Sequence, residues 1–295
     1  MQRRGGVRRG GSVVLALVLV AGCGDDGGSG PSADGAADGA ADGADGGATM
    51  GSDGPADSAD AADGTGSAPP PGPAAEGWES AYVDGGVGLG CDRSLAEILD
   101  AGAPALTFGD TTIAVGFEQV GNNQNPIVVR FDGDAPVWCQ RHETEGPDGR
   151  ALGLTWDGGD VAYVVYTIVG GGSSLEGRGG WIGSYAPGAI SGGGPKVSYL
   201  GRVEASDGSL SAGTFIIAVK SDNKVNSHTP AGPPTVQPNG DVRFTGGSAH
   251  KPIDQGLQAM DCTDYPFDST YVLSPDLSTM ICAECTNCAS QQPCE

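Results

Sequence analysis

Between Gly24 and Gly77 the chain has no Trp, Tyr, Phe, Val, Ile or Leu, and no Lys or Arg. A stretch made almost entirely of Gly, Ala, Asp, Ser and Pro has nothing apolar to bury. It cannot offset the entropy of ordering and is expected to stay disordered. Of 295 residues, only those after Gly77 can build a core, which is enough for one sizeable β domain. Within the linker, ADGAADGAADGADGG (Ala33 to Gly47) is low-complexity sequence. It lacks the fixed geometry and bidentate carboxylate of a calcium loop. As a flexible coil the linker spans on the order of 40 Å, and repulsion among its aspartates extends it further. SAPPPGP (Ser67 to Pro73) then stiffens the approach to the domain as a short polyproline-like piece.

Ahead of the linker lie a basic stretch with Arg3, Arg4, Arg8 and Arg9, an apolar core from Val13 to Val20, and small residues at its end. These are the parts of a secretory signal, and the core is too short to span a bilayer. Val20-Ala21-Gly22-Cys23 resembles the lipobox of bacterial lipoproteins. That resemblance implies cleavage before Cys23, a diacylglycerol on its thiol and a third acyl chain on its freed amine. Such an anchor holds durably where one chain would not. Neither arginine pair is followed by the twin-arginine pattern, so the general secretory route is expected. The expected location is the cell envelope, on the inner or outer membrane, with the domain outside the cytoplasm.

Charge narrows the partners. Eleven carboxylates lie between Asp25 and Glu76, and the remaining 11 basic and 26 acidic residues leave the rest at −15. A domain this acidic repels phosphate backbones and anionic headgroups. Nucleic acid is therefore not an expected partner, and membrane contact is expected through the lipid alone.

From Ala105 onward, short β-prone runs alternate with Gly, Asp, Asn and Pro turns, and no helical pattern of substance follows Ser94 to Leu99. Ile113, Val115 and Phe117 alternate with Thr112, Ala114, Gly116 and Glu118, the pattern of a half-buried strand; Val197, Tyr199 and Val203 alternate similarly with Ser198, Arg202 and Glu204. AYVVYTIV (Ala162 to Val169) is apolar on both faces and is expected to be a central strand. The hairpins fall into two kinds. Ala105 to Phe117, Gly153 to Tyr166 and Thr235 to Gly247 form one set; Ile127 to Cys139, Ser198 to Ile217 and Ser269 to Cys282 form the other. Paired, they make three four-stranded antiparallel units.

PNGDVRFTGG (Pro238 to Gly247) and the strand pairs around it resemble the repeats of bacterial β-propeller proteins over roughly Ala105 to Ala283. The resemblance implies a propeller-like all-β fold, with Trp78 to Asp100 completing a degenerate blade. A β-sandwich or three-sheet prism uses the same hairpins, because three units fall short of the usual four to eight blades.

Besides Cys23 there are seven cysteines: Cys91, Cys139, Cys262, Cys282, Cys285, Cys288 and Cys294. In an oxidising compartment disulfides are the default, with Cys91 or Cys262 pairing back to the domain and the tail pairing internally. Seven is odd, so one thiol is left over or joins a second molecule. CAECTNCASQQPC also has metal-ligand spacing. His142, His228 and His250 sit in no paired-ligand spacing and read as surface or turn histidines. Asp110, Asp132, Asp134, Asp157, Asp160, Asp207 and Asp241 fall at hairpin turns, where turn chemistry accounts for them.

The expected organisation is a signal peptide (1–22), a lipidated linker (23–77), an all-β domain (78–281) and a Cys-rich tail (282–295). No catalytic motif and no cofactor is expected. The leading expectation is a lipid-anchored envelope protein whose β domain binds a protein or glycan. Alternatives are a hydrolase or lyase using carboxylates in a propeller-like funnel, and a redox or metal role for the tail.

Overall fold

A computed structural model of the chain describes residues 73–144, 148–169, 174–185, 196–221, 224–289 and 294. The signal segment, Cys23, the linker before residue 73 and much of the Gly-rich insertion lie outside the described residues.

All but one of the described elements are β-strands. Strand β1 (Glu79–Tyr82) is followed by helix α1 (Leu95–Asp100), where Ser94 and Glu97 form a reciprocal capping box. A four-stranded meander comes next: β2 (Ala105–Phe108), β3 (Thr111–Val120), β4 (Asn123–Asp132) and β5 (Ala135–Arg141). Each of its hairpins turns on two residues, the first being Gly109, Gly121 or Gly133 at φ near +60°. Only glycine adopts that conformation freely, and it gives a hairpin the twist of its strands.

The second sheet runs β6 (Asp148–Trp156), β7 (Val161–Val169), β8 (Lys196–Glu204) and β9 (Leu210–Ile216), all antiparallel, and β1 adds to β6 at its edge. Two short strands, β10 (Ala218–Val219) and β11 (Val225–Asn226), then make a small sheet with β15 (Lys251–Pro252). The third large sheet has β12 (Thr229–Pro230) and β13 (Thr235–Val236) against β14 (Val242–Ser248), then β17 (Phe267–Leu273) and β18 (Met280–Cys285). Finally β16 (Asp261–Cys262) pairs with β19 (Cys288–Ala289). All six hairpins read in the sequence thus form, in three antiparallel sheets of four, five and five strands in place of three four-stranded units.

The sheets stack because the central one is apolar on both faces. Val164, Tyr166, Ile168, Tyr199 and Phe215 pack with Leu106, Ile113, Val115 and Val128 of the first sheet. Tyr163, Val165, Leu200 and Ile216, on the opposite face, pack with Val242, Phe244, Tyr271 and Leu273 of the third. AYVVYTIV therefore lies inside, as its composition requires. Gly-rich insertion or not, Leu175, Ile182 and Tyr185 are buried in the first of these cores.

The domain is all-β and antiparallel, and the described strands close into neither a barrel nor a ring. Trp78 to Asp100 is not a blade: β1 extends the second sheet, and α1 covers the outer face of the first. The period-two reading of β3 is right, but half-buried is not. Ala114, like Ile127, Val129 and Phe131, faces α1, where Ile98 is buried, so both faces of the strand are covered. Gly116 is part of the reason, since a Cβ there would come within 2.6 Å of the Leu89 side chain on the segment running beside β3. Strand β8 is likewise covered on both faces from Val197 to Gly201. The tail boundary at residue 282 cuts through β18, whose Ala283 is core, and the domain already begins at Ala75, whose N–H donates to the Val236 carbonyl at 2.7 Å.

Candidate functional site

His142 and His228 are not surface groups. Both are buried, at 8% and 0% exposure, and their polar atoms are matched. His142 Nε2 donates to the Gly208 carbonyl at 2.8 Å, leaving Nδ1 to accept from the Tyr166 hydroxyl at 2.7 Å. The ring is thus a neutral imidazole tying the first sheet's exit to the turn between β8 and β9. Burial lowers its pKa to about 4.

His228 lies between two serines, with Nδ1 2.8 Å from Ser198 Oγ and Nε2 3.0 Å from Ser269 Oγ. Each serine oxygen also lies within reach of a carbonyl, Ser198 Oγ 3.1 Å from that of His228 and Ser269 Oγ 3.3 Å from that of Gly246, so a neutral ring donates to one serine and accepts from the other. Gly246 is required beside it, because a Cβ would collide with the ring's Cε1. A serine next to a histidine invites comparison with a nucleophile and its base. Here burial drives the ring's pKa down to about 3, so it cannot take a proton near neutrality, and it is sealed from solvent. The group joins the second and third sheets. His250 is half-buried, and its carbonyl accepts from Ser248 Oγ.

The turn aspartates are held by turns. Asp157 accepts from Gly159 N–H at 2.8 Å and Asp207 from Ser209 N–H at 2.9 Å, while Asp241 accepts from the Asn239 amide. Those bonds keep the Asp207 carboxyl below its ordinary range. Asp132 pairs with Arg130, which also donates to the Ala205 carbonyl and so links the first sheet to the second. The structure gathers none of the seven into one cleft.

Of the cysteines, Cys91 is bonded to Cys139, tying the segment before α1 to β5, and Cys282 is bonded to Cys294. The three that remain, Cys262, Cys285 and Cys288, converge, with all their sulfurs within 4.8 Å of one another.

A cleft lies next to them. Its volume is about 530 Å³, within the range that holds small ligands, and it is lined by Asp254, Gln255, Gly256, Gln258, Met260 and Met280, among others. The hairpin from Ile253 to Ala259 forms one wall. It is braced by Asp254, whose N–H donates to the Gln258 carbonyl and whose carboxylate accepts from Gln258 N–H, and by Gln255, whose amide donates to the Met280 carbonyl at 2.9 Å. Thioethers make an apolar floor and amides make a polar rim, on a preformed frame. One carboxylate, Asp254, is present. Leu257, 52% exposed and at φ +61°, stands at the hairpin tip.

Compared with known protein families and with curated proteins, the chain matches none. The reading of the site rests on its own chemistry.

Sequence reasoning missed both buried histidines and the cleft. The signal available for His228 was the apolar sequence around Ser198 and the glycine pair at Gly246 and Gly247, but nothing local says that Ser198 and Ser269 meet across two sheets.

Proposed function

We propose that the protein is a lipid-anchored extracytoplasmic lipoprotein, held in the cell envelope through Cys23, whose β domain is a non-catalytic binding module. The observation that carries this reading is Val20-Ala21-Gly22-Cys23 at the end of a short apolar core behind four arginines. The bond between Cys91 and Cys139 supports an oxidising compartment. Among the described residues no helix is long and apolar enough to cross a membrane. The face-to-face stacking of the three antiparallel sheets supports a propeller-like reading of the fold.

The cleft beside the Ile253 to Ala259 hairpin is the proposed binding site. Its amide rim matches the peptide bonds of an extended protein segment, and its lining offers no aromatic ring on which a sugar would stack, so a protein ligand is favoured over a glycan. The turn bonds of Asp157 and Asp207 support a non-catalytic role, since those carboxylates already serve the fold.

Labelled palmitate fed to expressing cells tests the anchor. Label is expected in the native protein and lost in Cys23→Ala; incorporation into that variant sinks the anchor. Peptide and glycan arrays probed with the purified domain test the module, with Ala259→Trp filling the cleft from an exposed position. Binding to peptides that this substitution abolishes is expected; turnover of a substrate, or binding indifferent to it, overturns the reading.

A further inference from the structure

The seven cysteines of the domain divide unevenly. Two bonded pairs account for four, and the other three are the ones that converge. Cys262 on β16 is the cross-strand partner of Cys288 on β19, and Cys285 ends β18. Between the last two, Thr286 and Asn287 make a tight turn with Asn287 at φ +63°. Cys288 Sγ lies within bonding reach of both Cys262 and Cys285, while those two sulfurs are 4.0 Å apart. A sulfur joins only one other, so no single disulfide is specified by this placement. A structural staple needs two convergent cysteines, as at Cys91 and Cys139, and gains nothing from a third.

Three convergent thiols are what a metal needs. The two-residue spacing from Cys285 to Cys288 is the spacing of metal-binding turns, in which both sulfurs point to one side. The Cys262–Cys285 separation of 4.0 Å is close to that between sulfurs about 2.3 Å from one ion in tetrahedral geometry, while Cys288, nearer to both, would have to draw back to share the ion. The Thr286 carbonyl oxygen, 3.1 Å from Cys285 Sγ and 3.6 Å from Cys288 Sγ, faces the same centre, so it or a water can complete four ligands. Among the described residues no imidazole or carboxylate shares the cluster. An all-sulfur set selects soft, closed-shell ions over calcium, magnesium or manganese. The surrounding acidic field raises the local concentration of any cation.

We propose that Cys262, Cys285 and Cys288 form a three-thiolate site for a thiophilic cation, zinc or copper(I), which fastens the C-terminal strands to β16. On binding, three thiols each release a proton to solvent as three sulfur–metal bonds form, and no electrons move. The odd cysteine count then has no spare thiol. The site does not depend on lipidation, since it stands on the domain alone.

Full-length protein purified from the envelope under nitrogen, as isolated or after adding zinc sulfate, tests this. Elemental analysis is expected to show about one equivalent of zinc or copper per chain. Alkylation in denaturant with chelator and no reductant is expected to label Cys262, Cys285 and Cys288 together, as peptide mapping reads. Chains without bound metal in which only one of the three is labelled overturn the proposal, because a disulfide then holds the other two. Cys285→Ser, at a half-buried position, is expected to lose at least ten-fold in metal affinity. Unchanged metal content in that variant also overturns it. The labelling pattern of the unmutated chain decides the matter even if the variant misfolds.

Discussion

The first and third sheets, of four and five strands, both pack against the central sheet, yet their outer faces differ. On the first, Ala114, Ile127, Val129 and Phe131 are apolar and α1 covers them. On the third, the outward positions of β14, β17 and β18 include Arg243, Thr245, Asp268, Thr270 and Glu284. Arg243 and Thr270 are nonetheless buried, at 8% and 1% exposure, and Arg243 Nε and Thr270 Oγ1 have no hydrogen-bond partner among the described residues. Burial of the Asp268 carboxyl raises its pKa, and its Oδ2 is also unpartnered. One face is thus held by hydrophobic burial and the other is buried at a cost. A shared antiparallel pattern does not imply shared energetics, because strand pairing dictates only which residues share a face.

The largest expected effect is at Phe131, fully buried under α1. Phe131→Ala is expected to lower stability by about 3–5 kcal/mol in a denaturant titration, through lost transfer energy and a cavity. A loss under about 1 kcal/mol would show that the helix does not seal this face.

Acid comes next, and it acts on the opposite side of the central sheet, where His228 meets the third. Its pKa falls from 6.5 to about 3 on folding, so the unfolded chain binds the proton more tightly. The stabilising contribution is fully present above pH 6.5 and is lost as pH falls toward the folded value, reaching several kcal/mol. His142, lowered to about 4, adds in the same direction. Exposed carboxylates held below their ordinary range, such as Asp276 and Glu97, lose stability only near and below pH 4. Thermal melts are therefore expected to decline from about pH 6, and His228→Gln to flatten that early limb. An early limb unchanged by the substitution would mean that the ring is not the group titrating.

Opening the bond between Cys91 and Cys139 is expected to cost about 2–4 kcal/mol, measured on Cys91→Ser with Cys139→Ser. It joins the segment before α1 to the edge strand β5 of the first sheet, so hydrogen exchange should rise in α1 before it rises in β7.

The smallest effect has the opposite sign. Thr270→Val, nearly isosteric, removes a buried hydroxyl that has no hydrogen-bond partner among the described residues and is expected to raise stability by up to about 1 kcal/mol. A loss instead would show that the third sheet's outer hydroxyl does have a partner in solution.

Much of this architecture was legible along the chain. The two-residue turns led by Gly109, Gly121 and Gly133 announce themselves through local backbone conformation, and the double-sided apolar run from Ala162 to Val169 announces a covered strand. Burial of the histidines was not legible, since it depends on Ser198, Ser269 and Tyr166 arriving from strands far away in sequence. The cysteines of β16, β18 and β19 were legible as a spacing but not as a cluster.

By itself, the order of residues determined which segments become strands, where they turn and which stretch can hold no core, because each depends on neighbours within a few residues. Which faces meet, whether a polar face is nonetheless buried, and which of seven sulfurs converge were decided only when the sheets stacked. Those outcomes are contacts between residues distant in sequence, and period-two alternation has no means of encoding a partner's identity.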